Sequence, residues 1–166
     1  MNALTFDTQV KDVIVERFEL LKNQIAESIS SHGLTASGRT AASMYVVADS
    51  YSVTLYGRPF FPALETGSSR WTGGTGISCS FAEFKGIIRN WASSKGLNFG
   101  QHKEYERAVS AIAMKIIRNG TKQKRSGQRL DVYTTLVEEA VKDCEKLVVD
   151  LANAEIDNIV KDWGDK

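Results

Sequence analysis

The stretch TASGRTAASMYVVADSYSVTLYG, residues 35–57, decides the fold. Met44, Val46 and Ala48 alternate on one side of ADSYS, and Val53, Leu55 and Gly57 alternate on the other. A period of two is that of a strand, so the pattern predicts a β-hairpin with one buried face. A lone hairpin is barely stable in water and must rest on helices. The predicted class is α+β: a β-hairpin or small antiparallel sheet packed by long N-terminal and C-terminal helices plus two central helices.

Upstream, Val10, Ile14, Phe18, Leu21, Ile25 and Ile29 recur in steps of four and three, which predicts a helix over about 8–31. Asp7 is its expected cap and Gly33 lies just past its end. Downstream, Pro59 and Pro62 remove two backbone donors, so RPFFP turns rather than continuing a strand. ALETG fits one helical turn ended by Gly67, and the glycine-rich run that follows predicts a mobile loop over about 68–80. Ser80 and Glu83 have capping-box spacing ahead of a helix whose expected core face is Phe84, Ile87, Ile88 and Trp91, stopped by Gly96. A further helix places Tyr105, Val109, Ile112, Ala113, Ile116 and Ile117 on the core and ends at Gly120.

Residues 121–130 read as a polar, basic connector. After it, Asp131 is the expected cap of a helix from Val132 to about Lys161. Its stripe is Tyr133, Val137, Ala140, Cys144, Leu147, Leu151 and Ala154, widened by Leu136, Val148 and Ile159. At about 45 Å it outruns a domain whose radius of gyration is about 15 Å, so part of it is expected to pack outside its own monomer.

A chain of 166 residues, 42% hydrophobic and 25% charged, reads as one globular domain over 1–166. No apolar run is long enough to cross a bilayer, and the N-terminal stretch lacks a basic-then-apolar leader, which points to a cytosol-like compartment and no membrane partner. Cys79 and Cys144 have no metal or disulfide spacing, and His32 and His102 have no ligand neighbours, so no metal is expected. The net charge of +1 hides three blocks: −2 over 1–32, +8 over 33–131 and −5 over 132–166. Such asymmetry suits nucleic acid, a basic surface that meets an acidic neighbour, or solvated charge without a partner.

The catalytic patterns read as absences. GGTG at 73–76 has no phosphate-loop lysine in order, no GxSxG elbow accompanies the serines, and Glu138 and Glu139 are adjacent on an acidic helix. No enzyme activity and no cofactor are expected. Lys122, Lys124, Arg125 and Arg129 can touch phosphates, but no aromatic is interleaved for base stacking.

Taken together, SGR at 37–39, LYGRPFFPALETG, FKGIIRNWASSKGL, ERAVSAIAMKIIRNGT and a long terminal helix resemble the tail-completion and neck proteins of tailed bacteriophages, in particular the version in phages of Bacteroides-type hosts, including the crAss-like group. The resemblance covers about 10–160; its landmarks are Ser37, Gly38, Arg39, Glu65, Gly67, Trp91, Lys95, Gly96, Gly120 and Thr121. It implies a virion subunit, without catalytic residues, in a ring joining portal and capsid to tail. The implied partners are copies of itself, portal or other neck and tail proteins, and genomic DNA passing through the channel. A departure is SSRWTGGTGISCS, longer than the family's usual segment after ETG.

On this reading Pro59, Phe60, Phe61 and Trp71 form an apolar contact surface, with a core position the alternative for Phe60 and Phe61. The glycine-rich loop orders against a neighbouring component. Lys122, Lys124, Arg125 and Arg129 meet the acidic terminal helix, Glu138 and Glu145 included, of a neighbouring copy. The alternatives are a non-specific DNA-binding module using residues 122–129 and a small hydrolase.

Overall fold

The computed structural model of the chain describes residues 3–35, 37–50, 52–59, 61–68 and 80–164. Their elements are α1 (Ala3–Ser31), α2 (Arg39–Ala42), β1 (Tyr45–Ala48), β2 (Val53–Tyr56), α3 (Pro62–Thr66), α4 (Phe81–Ser94), α5 (His102–Asn119), α6 (Lys122–Ser126) and α7 (Thr134–Gly164). This is the α+β arrangement expected, with long terminal helices and a two-stranded antiparallel sheet. The chain packs as two compact units that interleave in sequence. Unit 1 gathers Met1–Ser28, Ser43–Gly57 and Tyr133–Lys166; unit 2 gathers Ile29–Ala42 and Arg58–Val132.

In unit 1 the hairpin forms where the alternation places it: Val46 pairs with Leu55 and Ala48 with Val53 on the half-buried side. On the other side Tyr45 stacks on Tyr56 at 5.2 Å, a cross-strand pair worth up to about 1 kcal/mol. The turn is closed by Asp49, whose carboxylate accepts from the Ser52 N–H (2.7 Å) and hydroxyl (3.0 Å). The α1 stripe is covered as expected, from half-buried Val10, Ile14 and Phe18 to buried Leu21 and Ile25. Arg17 on α1 donates to Asp143 on α7 from Nε (3.0 Å) and Nη2 (2.8 Å).

Two boundaries differ from the sequence reading. α1 begins at Ala3, so Asp7 lies inside the helix rather than capping it; nothing between the two positions interrupts a helix. α7 begins at Thr134, two residues later than the expected start at Val132. The Val132 N–H is taken by the Glu65 carboxylate and its side chain is buried, which holds residues 131–132 out of the helical ladder. Along α7 the covered edge is Tyr133, Leu136, Ala140, Cys144, Val148 and Leu151. Val137, Leu147, Ala154 and Ile159, expected in the same stripe, are exposed, because the apolar surface of this helix is wider than the surface that covers it.

In unit 2, Phe84 and Ile88 of α4 pack with Val109 and Ala113 of α5, and Tyr105, Ile112, Ile116 and Ile117 close over them. α4 starts with the predicted capping box: Ser80 accepts from the Glu83 N–H (3.3 Å), and the Glu83 carboxylate accepts from the Ser80 N–H (2.6 Å). Those hydrogen bonds from Ser80, the backbone one foremost, lower the Glu83 pKa. The cap is therefore at full strength above the ordinary carboxylate range and weakens as pH falls through the lowered value. Ser80→Ala is expected to cost about 1 kcal/mol in urea denaturation at neutral pH, with less difference from wild type in acid.

The buried face of α4 is Phe84, Ile88 and Ala92, while Ile87 is 53% and Trp91 39% exposed, against the expectation that both face the core. A helical period admits either edge, and fully buried Ala92 marks the side where a neighbour comes close. The connector also differs. Thr121 accepts from the Lys124 N–H (3.4 Å) and starts a one-turn helix, α6, which Gly127 ends in the left-handed region.

Candidate interaction surfaces

α3 is only five residues long, yet it carries Glu65 at 1% exposure. The Glu65 carboxylate accepts from Arg129 Nη2 (2.9 Å) and Nε (3.3 Å) and from the Val132 N–H (3.1 Å). Its backbone carbonyl accepts from the Leu130 N–H (2.9 Å) and from the Gln123 amide. Just beyond Gly67, the Ser68 N–H donates to Thr121 Oγ1 (3.0 Å) and the Thr121 N–H donates back to the Ser68 carbonyl (3.1 Å). The turn after the hairpin is thereby locked to the approach to α7. This is a satisfied buried charge, and it organises the backbone of unit 2.

That lock alters the role of the connector cations. Arg129 is engaged by Glu65, although 62% of its side chain stays exposed. Arg125 Nη1 donates to the Gly120 carbonyl (2.6 Å). Lys122 and Lys124 are exposed and make no ion pair among the described residues. Of the apolar candidates, Pro59 is exposed and Phe61 half-buried, its N–H donating to the Arg58 carbonyl in the expected turn. Phe60, Trp71 and residues 69–79 lie outside the described residues.

Gly38, Gly67, Gly96 and Gly120 all adopt positive φ. The Lys95 ammonium donates to the Gly33 carbonyl (2.7 Å), and Thr121 and Glu65 hold the lock.

Charge divides by unit more sharply than by segment. Unit 2 holds fourteen Lys and Arg against five Asp and Glu, a net +9; unit 1 holds seven against fifteen, a net −8. On unit 2, Glu106 sits among Lys85, Arg89, Lys103 and Arg107. It accepts from Arg89 Nε (2.7 Å) and Nη2 (2.9 Å) and pairs with Lys85 (2.8 Å), which lowers its pKa to about 2, the Arg89 hydrogen bonds foremost. One carboxylate thus ties two cations and leaves the surface basic.

On unit 1, Glu138, Lys142 and Glu145 lie on one exposed line of α7, in steps of four and three. The same line continues through Val149, Ile156, Val160 and Trp163, opposite the covered edge. Trp163 is 76% exposed. On unit 2, exposed Ile87 and Trp91 flank a groove of about 510 Å³ that also meets Ile29, Leu34 and Leu64, with Arg39 beside them. Arg39 Nε donates to Ser37 Oγ (3.2 Å) in the turn before α2.

Among the described residues no cluster of His, Cys, Asp and Glu is placed to hold a metal, and no helix is long and apolar enough to cross a membrane. Cys144 is half-buried, and burial pushes its thiol pKa up, away from nucleophilic use. The chain matches no protein-family description, no curated protein and no solved structure.

Proposed function

We propose that this protein is a structural subunit of an oligomeric ring in the neck of a tailed bacteriophage, joining portal and capsid to tail. The observation that carries the assembly part of this reading is the pairing of a −8 unit and a +9 unit in one chain whose terminal helix exposes a line of large apolar side chains. A solitary protein gains nothing from such a line, whereas subunits with opposite surfaces associate head to tail and form a ring when the rotation closes. The phage part is carried by the resemblance of the residue patterns around SGR, LETG, NWASSKG and RNGT. The engagement of Arg125 and Arg129 within the chain leaves the connector a weaker phosphate-binding element than its composition suggests.

Native mass measurement of the purified chain, with and without its virion companions, tests the reading. Multimers are expected at about 0.1 M salt. They should dissociate toward about 1 M, where the screening length falls from about 10 to about 3 Å, while helical circular dichroism stays constant. Electron microscopy of purified particles should show the ring at the portal vertex. A chain that remains monomeric beside its virion companions overturns the proposal.

A further inference from the structure

We infer that the exposed apolar line of α7 in one copy seats in the α2–α4 groove of a second copy, with the acidic flank of the helix on the basic unit around the groove. The inference takes from the preceding reading only that this chain meets copies of itself.

Three observations choose the occupant. First, Val149, Ile156, Val160 and Trp163 follow one another in steps of seven, four and three, so they form a narrow knob row of the kind an amphipathic helix lays into a groove. Second, unit 2 offers a matching concavity: apolar Ile29, Leu34 and Leu64 beside exposed Ile87 and Trp91. Third, charge discriminates between partners. Beside the knob row stand Asp150 and Asp157, with Lys146 on the same flank, within a unit of net −8. Pairing α7 with another α7 brings acid to acid, whereas the groove lies in the +9 unit with Arg39 at its side.

The contact is heterologous: each copy uses its helix on one neighbour and its groove on another. Such a contact repeats until it closes.

Two variants of the full chain test this. The helix variant carries Ile156→Glu and Trp163→Glu; the groove variant carries Ile87→Glu and Trp91→Glu. All four side chains are exposed, so both variants should keep the wild-type circular dichroism spectrum. Sedimentation should show self-association of each variant weakened at least tenfold. Mixed in equal amounts they should form a 1:1 heterodimer that grows no further, because one intact helix meets one intact groove. If either pair of substitutions unfolds the chain, Trp163→Ser and Trp91→Ser take their place in the same mixing experiment.

A groove variant that associates like wild type, or a mixture that does not recover binding, overturns the inference; the first result also points to α7 pairing with itself. A ring at the portal vertex without complementation sinks this contact and leaves the functional reading standing. Complementation by a protein missing from the particle does the reverse.

Discussion

Glu65→Ala is expected to destabilise the protein by about 3 kcal/mol. The carboxylate is buried, and removing it strands the Val132 N–H in a region closed to water, a loss of about 1–3 kcal/mol. A cavity is left besides. The Arg129 guanidinium, 62% exposed, rehydrates at little cost. Arg129→Ala removes the other partner and leaves a carboxylate of 1% exposure without this cation, so it too is expected to cost more than an ordinary surface change. Because both changes break one network, the double variant should be little worse than Glu65→Ala alone. A double-mutant cycle in urea reads this as a coupling of about 1–3 kcal/mol. Additive effects would show that the two side chains act independently, and a Glu65→Ala variant within about 0.5 kcal/mol of wild type would show that the lock is dispensable.

The second large effect is expected at Gly67, where backbone angle and crowding act together, with Gly96 as the contrast. Both glycines adopt positive φ, +68° and +65°, which L side chains rarely adopt, and the ψ of 171° at Gly67 puts it in the extended positive-φ region that essentially only glycine occupies. A Cβ on Gly96 enters open space, whereas one on Gly67 meets the Lys124 backbone N at 2.5 Å and Thr121 Oγ1 at 2.6 Å. The first obstacle is main chain and cannot rotate away, so relief requires α6 to shift and the Ser68–Thr121 exchange to open. Gly96→Ala should therefore cost about 1 kcal/mol and Gly67→Ala about 3 or more, read from denaturation midpoints at unchanged m-value. Equal costs would mean that neither the close approach to α6 nor the extended backbone at Gly67 adds to the cost.

These two sites mark the limit of local reading. In the sequence Glu65 and Gly67 read as the end of a short helical turn, and both are that. Neither the buried carboxylate nor the crowding of Gly67 against α6 is legible there, since the partners lie more than fifty residues away. The candidate interface shows the same division. Glu138 and Glu145 are exposed as anticipated, but their alignment with Val149, Ile156, Val160 and Trp163 emerges only once another edge of α7 is covered. The four connector cations look equivalent in sequence. Internal acceptors then separate Arg125 and Arg129 from Lys122 and Lys124.

What the chain's order of residues determined alone is the hairpin, the capping box of α4, the glycine stops and the existence of the long helices. Each rests on interactions within a few residues, where the period of the backbone and the reach of a side chain leave little choice. Tertiary structure decided which edge of α4 and α7 is covered, where Glu65 finds its cation, and how a nearly neutral chain sorts into a −8 unit and a +9 unit. Those outcomes depend on which distant segments close on one another, and an apolar stripe wider than its contact, or a charge with several candidate partners, fits more than one closure equally well.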